Sequence, residues 1–178
     1  MKNKWKILSR ETVFENKWRL VEKFVVQTPA GLTEDFFLTN TGDVSVVFPV
    51  TKDNKVIINK QYHFYFKKRR IEICAGFIEQ GNSLETAKKE LLEETGYEAE
   101  EYIYLGAVDK ERWQLGVAHY YLALGAKKVA EQSLEGTEDI EIELVDIDDF
   151  VSMMRNNEIE NGISLVGCYK ALDYLKKL

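Results

Sequence analysis

One stretch, Ala75 to Gly96, restricts the fold more than any other: it reads AGFIEQGNSLETAKKELLEETG and passes from a glycine-bearing loop into a helix. Advancing 100° per residue, Glu90, Glu93 and Glu94 stand at i, i+3 and i+4 and share one narrow face of that helix. Like charges so spaced repel, so a helix that gathers three of them is either a solvated charged face or holds a bound cation. Hard carboxylate oxygens suit Mg²⁺, or Mn²⁺ as a substitute. Leu84, Ala87 and Leu91 make an apolar stripe roughly 120° away from the acids. One side of the helix therefore packs and the other faces a cleft. Ser83 is the expected N-cap and Gly96 the terminating glycine. Lys89 lies four residues from both Glu85 and Glu93 and can pair with either, each pair contributing ~0.2–0.5 kcal/mol in an isolated helix.

The chain has 178 residues, 45% of them hydrophobic and 30% charged, which suits one globular domain, or a domain with a small appendage, and a core of adequate size. A net charge of −6 argues against broad attraction to nucleic acid or to an anionic membrane, so a polyanionic partner must be met by a local site or a metal. The single basic run, Lys67 to Arg70, is either a solvated turn between strands or a phosphate-facing element. Cys74 and Cys168 show no metal-ligand spacing and the N-terminus lacks the apolar segment of a signal peptide, which points to a reduced, cytoplasmic protein. No apolar run approaches the ~20 residues that span a bilayer.

Along the chain, residues 1–42 alternate as strands do, with Trp18 to Gln27 the clearest, a Thr28-Pro29-Ala30-Gly31 turn and a return strand around Asp35 to Leu38. This predicts an antiparallel appendage to a main domain over residues 43–178. Val44 to Val50 and Lys55 to Tyr62 are rich in β-branched residues and should form the central sheet. Ile71 to Ala75 is a short strand entering the glycine loop. Strands over Tyr102 to Val108, Val117 to Leu124 and Ile140 to Val145 follow, then helices near Asp148 to Asn156 and Ser164 to Lys177.

At this point the residues resemble a known family. Ala75 to Tyr97 is similar to the Nudix box, G-x5-E-x7-R-E-U-x-E-E-x-G-U with U a bulky aliphatic residue; Lys89 to Tyr97 matches its second half at eight of nine positions. Gln61-Tyr62, Glu72 three residues before Ala75-Gly76, and the acidic loop Glu138-Asp139-Ile140-Glu141 resemble the ADP-ribose pyrophosphatase branch. Asn82 stands where the box has glutamate, Lys89 where it has arginine, and the segment between them is one residue short. His63 replaces an arginine usual after Gln-Tyr, and Cys74 a proline. Lysine keeps the charge but loses the planar fork of arginine, so a Lys89 to Glu85 pair could be the substitute brace.

The resemblance implies an α/β/α sandwich with a mixed sheet and an N-terminal antiparallel appendage, exchanged across a homodimer. It also implies metal-dependent hydrolysis of the pyrophosphate bond of a small-molecule nucleoside diphosphate derivative, ADP-ribose first and another nucleotide sugar second. Glu90 and Glu94 would be metal ligands with Glu93 a third, joined by the Ala75 backbone carbonyl. The base would be Glu138 from the late loop, with Glu135 a weaker neighbour, or Glu93 from the box. Glu72, Gln61, His63, Arg112 and Trp113 are candidates for substrate contact, and Gly76, Gly81, Lys89 and Gly96 shape the motif. The alternative is a protein of the same fold that binds a nucleotide without efficient catalysis.

Overall fold

The structure, a computed structural model, describes residues 4–79 and 82–178. In chain order the elements begin β1 (Lys6–Glu15), β2 (Leu20–Gln27), β3 (Thr33–Asn40), β4 (Val44–Thr51), β5 (Lys55–His63), β6 (Lys68–Glu72) and β7 (Ala75–Phe77). They continue α1 (Ser83–Thr95), β8 (Tyr97–Glu98), β9 (Glu101–Glu111), β10 (Gln114–Lys128), β11 (Ile140–Asp146), α2 (Ile147–Arg155) and α3 (Gly162–Tyr174). Two compact units emerge. The first comprises the described residues up to Asp43 together with Asp109–Val117; the second holds Val44–Val108 and Ala118–Leu178. The appendage thus takes in a segment from the β9–β10 turn beyond the span expected at residues 1–42.

In the first unit β1, β2 and β3 form an antiparallel meander. The turn at Thr28 to Gly31 closes as expected, with Gly31 N–H donating to Thr28 O at 2.9 Å. Gln114 and Leu115 add to β3 in parallel, and the Trp113 ring stacks on Phe36 with centroids 5.7 Å apart. None of the three tryptophans is core within this chain: Trp5, Trp18 and Trp113 all rank among the exposed apolar side chains.

In the second unit β4 is buried along its whole length. It pairs with β10 in parallel and with β7 and β5 antiparallel, while β5 also pairs with β6 and β11. The sheet is therefore mixed. Its two faces are separated by the period of two along a strand. Val44, Val46, Phe48 and Val50 join Val56, Ile58 and the inner residues of α2 and α3, including Phe150, Cys168, Ala171 and Leu172. Val47 points the other way, to Ala87 and Leu91 of α1. One helix on one face and two on the other make the α/β/α sandwich that the sequence predicts.

Three local boundaries differ from the sequence reading. The strand expected from Ile71 to Ala75 is broken at Ile73 and Cys74, giving β6 and β7 on different partners. The run at Lys67 to Arg70 is mostly strand, and three of its cations are paired: Lys68 with Glu160 at 2.6 Å, Arg69 with Asp139 at 2.7 Å and Glu141 at 3.1 Å, and Arg70 with Glu160 at 3.5 Å. The N-cap of α1 is Asn82 rather than Ser83, its side chain accepting from Glu85 N–H at 3.0 Å. The serine hydroxyl is instead shared with Tyr121 OH at 2.6 Å. Asn82→Ala is expected to cost about 1 kcal/mol, the usual worth of such a cap. Urea unfolding would read this as a lowered midpoint at constant slope, and an unchanged midpoint would show the cap to be idle.

Candidate metal and catalytic site

The site is built on α1, and both ends of that helix are fixed. At its C-terminus Gly96 has φ 76° and its N–H donates to Leu92 O. A Cβ there would overlap the Ala130 carbonyl, so only glycine meets both the left-handed backbone and the close approach. The last carbonyls of α1, which lack partners within the helix, are taken up by the segment after β10. Val129 N–H donates to Gly96 O at 2.8 Å, Ser133 N–H to Glu93 O at 2.8 Å, and Gln132 Nε2 to Glu94 O at 2.7 Å. Gln132 gave no signal in the sequence, since its partner lies on another element.

Seating the helix this way turns Glu94 inward. It is 5% exposed, and Asn59 Nδ2 donates to its Oε2 at 2.7 Å. Burial, then the charge of Glu90, pushes the Glu94 carboxyl up to about 8. Glu90 lies one turn back and rests against Gly76, where an added Cβ would overlap its Oε1 and Cδ and stand 2.6 Å from its Cγ. Its carboxyl is raised to about 7, chiefly by burial; Lys89 opposes the shift, while Glu93, Glu138 and Glu135 add to it. Two neighbouring carboxyls that both resist ionisation, each chiefly through burial and with other acids adding to it, are short of positive charge. A bound dication would supply it, so the donor chemistry fits Mg²⁺ or Mn²⁺. Among the described residues no three Asp, Glu, His or Cys side chains already converge as an ion cage does, so an ion would draw these carboxylates together. A cleft of about 350 Å³ lined by Phe77, Glu79, Thr86, Lys89 and Glu90 opens beside them.

The remaining predicted residues divide clearly. Glu93 is half-buried and paired with Lys89 at 3.3 Å, whereas Glu85 pairs with Lys88 at 3.0 Å. The brace for Lys89 is therefore Glu93 and not Glu85: Lys88 takes up Glu85 one turn earlier. Glu138 and Glu135 belong to one turn, in which the Glu138 carboxylate accepts from Glu135 N–H at 2.8 Å. Next to it, Arg69 Nη1 donates to the Asp139 carbonyl at 3.0 Å and Tyr62 N–H donates to the same oxygen at 2.9 Å. Arg69 is thus an anchor of the acidic loop, a role its place in a basic run did not reveal.

Ala75 pairs with Val46 in the β7–β4 ladder. Glu72, 9% exposed, holds His63 Nε2 at 2.9 Å and lines an apolar cavity of about 180 Å³ with Ala75, Gly76, Phe77, Asn161 and Ile163. The His63 ring also meets Tyr65 and Phe66 edge-on, at 5.9 and 6.1 Å. Gln61 is half-buried on β5 opposite Arg70. Arg112 and Trp113 belong to the first unit, where the guanidinium sits 4.9 Å over the indole. Gly81 lies outside the described residues.

Fold and site together define an α/β/α sandwich whose loop and helix set a buried and a half-buried carboxyl beside a cleft. The family profile described as NUDIX domain matches residues 40–164, and the chain belongs to the Nudix family, as its sequence resemblance implied. It is 26% identical over 180 residues to the methanol dehydrogenase activator of Bacillus methanolicus, covering 96% of this chain and 92% of that protein. It is 27% identical over 165 residues to the ADP-ribose pyrophosphatase of Bacillus subtilis strain 168, covering 86% and 85%. A shorter match, 37% over 106 residues and 53% of this chain, joins it to the ADP-sugar pyrophosphatase of Mus musculus. The crystal structure of an ADP compounds hydrolase superposes with a TM-score of 0.84 at 18% identity, covering 98% of this chain and 97% of that one; at that identity it supports the fold.

Proposed function

We propose that the chain hydrolyses the pyrophosphate bond of a nucleoside diphosphate derivative, ADP-ribose first and another nucleotide sugar second, with Mg²⁺ or Mn²⁺. The observation that carries this reading is the pair of carboxyls one turn apart on α1, the buried Glu94 and the half-buried Glu90, whose acidities are both weakened, chiefly by desolvation. Such a pair is poised to exchange protons for a dication. Glu90, Glu94, Glu93 and the Ala75 carbonyl would hold the ion, which when bound supplies charge neutralisation for the pyrophosphate. Glu138 takes the proton from the attacking water: among the described residues its carboxylate accepts from a backbone N–H on its own turn, whereas Glu93 is engaged by Lys89. Glu72 and His63, joined side chain to side chain, orient the substrate at the mouth of the small cavity, with Gln61 on the same strand. The activities for which the Bacillus subtilis and mouse relatives are named support the substrate class.

A homodimer completes the proposal. All ten residues of β1 are exposed within one chain, Ile7, Leu8, Val13 and Phe14 among them, and an apolar edge strand of this length invites pairing with a second copy. The cysteines, both buried and free, are compatible with a reducing, cytoplasmic setting.

A second reading, a regulator that keeps the cleft and turns over poorly, is favoured by one observation, the relative named as an activator that matches 96% of this chain. The test is a phosphate-release screen of ADP-ribose, nucleotide sugars, dinucleoside polyphosphates and NADH with Mg²⁺ or Mn²⁺. The protein's mass in solution is measured alongside by light scattering. Turnover far above the metal-only background, reduced on the order of 10²–10⁴-fold in Glu138→Gln as expected for a general base, supports the enzyme. Saturable nucleotide binding without turnover supports the regulator, and a monomer mass removes the dimer.

A further inference from the structure

The amide that faces Glu94 is an unusual residue for its position. Asn59 sits in the middle of β5, 2% exposed, with Ile57 and Ile58 just before it at 0%. Burying a primary amide is unfavourable unless its donor and acceptor are both used. Both are: Nδ2 donates to Glu94 Oε2 at 2.7 Å, and Oδ1 accepts from the Cys74 thiol at 3.8 Å. Cys74 is itself fully buried between β6 and β7, and its carbonyl accepts from Val47 N–H of β4 at 2.9 Å.

Resting on the reading of Glu94 as an ion ligand, we propose that Asn59 is a positioning residue that aims the Glu94 carboxylate, its amide held in the correct sense by the Cys74 thiol. The geometry gives each partner a distinct task. A carboxylate at the end of a glutamate side chain can turn about its last bond, and a donor tied to one oxygen fixes the carboxylate plane. With Oε2 taken by Asn59, Oε1 is the oxygen offered to the ion. Against the ionised carboxylate that an ion would bind, a reversed amide would set Oδ1 against Oε2, two acceptors with no proton between them, and would leave the thiol proton facing an N–H. The thiol stands 3.8 Å from Oδ1 and is its donor. Three elements, β5, the break between β6 and β7, and α1, thereby converge on one carboxylate. The broken strand at Cys74 has a purpose here, since it turns the thiol toward the amide.

The test is Asn59→Leu, which keeps the branched shape and heavy-atom count and removes both hydrogen bonds, compared with wild type in Mn²⁺ titrations of the substrate-free protein, in steady-state turnover and in thermal melts without metal. The expected result is Mn²⁺ binding about 10–100-fold weaker, and kcat lowered by a similar factor at saturating Mn²⁺ with KM for the nucleotide within about 3-fold of wild type. The metal-free melting temperature should hold within a few degrees. Wild-type Mn²⁺ affinity in a variant that only melts earlier would overturn the proposal while leaving the hydrolase reading intact. Absence of saturable Mn²⁺ binding in wild type would remove both. Should Asn59→Leu fail to fold, Cys74→Ala and Cys74→Ser decide. Weaker Mn²⁺ binding by the alanine variant than by the serine variant, which keeps a donor, supports the proposal, and equal binding overturns it.

Discussion

Glu94→Gln is expected to move activity and stability in opposite directions. The substitution removes one charged ligand from the proposed ion site while keeping the side chain's shape, so turnover with Mg²⁺ should fall on the order of 10²-fold or more. Stability of the metal-free protein should rise at high pH. The Glu94 carboxyl titrates at about 8 in the folded chain against an ordinary value of 4.5, and Glu90 at about 7. The folded state therefore holds protons that the unfolded chain has already released. The associated stability is complete below about pH 4.5 and is lost as pH rises through 7 and 8, a decline on the order of several kcal/mol for a group as buried as Glu94. Melting in EDTA should show wild type losing stability from pH 5 to 8.5 and Glu94→Gln losing much less, with Mn²⁺ restoring the wild type most strongly at the alkaline end. A flat wild-type profile would contradict the burial argument; near-normal turnover in the variant would take Glu94 out of the ion site.

Gly76→Ala should separate folding from function in a different way. The added Cβ would overlap the end of the Glu90 side chain, and a flexible side chain can swing aside at small cost to the fold. The carboxylate cannot do so and still face the cleft. The melting temperature is thus expected to stay within a few degrees of wild type. Mn²⁺ affinity and turnover should fall about 10–100-fold, in the range seen when an ion's supporting groups are disturbed. A large loss of stability with intact Mn²⁺ binding in the surviving folded fraction would show that Gly76 serves backbone packing instead.

Much of α1 was legible in the sequence because it is governed by local rules. The 3.6-residue period put Ala87 and Leu91 in the core, a glycine with nothing helical beyond it marked the stop at Gly96, and the acids stood at i, i+3 and i+4. The N-cap was missed by one residue because asparagine and serine are adjacent and both cap well; only the hydrogen bond to Glu85 N–H distinguishes them. Lys89 presented two acids at equal spacing, and the choice of Glu93 followed from Lys88 taking the other. What could not be read were contacts between distant segments. Asn59 looks like any polar residue in a strand until α1, 35 positions later, brings Glu94 to it. Gln132 and Arg69 likewise act on backbone carbonyls that no pattern of side chains announces. The assignment of Asp109–Val117 to the first unit was hidden for the same reason: a long hairpin reads as continuous strand, whichever unit its tip joins.

The loop after β10 has a fixed root and a self-contained tip. Its root, Val129 to Ser133, is fastened to the end of α1 through backbone carbonyls. Its tip, Glu135 to Glu138, closes on itself with two bonds of its own, Glu138 N–H to Glu135 O at 3.0 Å and Glu135 N–H to Glu138 Oε2 at 2.8 Å. The two are therefore separable as parts. Residues 135–137 can be exchanged or lengthened, with Glu138 kept as the proposed base, while the helix beneath keeps its seat on the root. Anyone seeking to retarget this scaffold to a different phosphate ester has a natural splice window between Leu134 and Glu138.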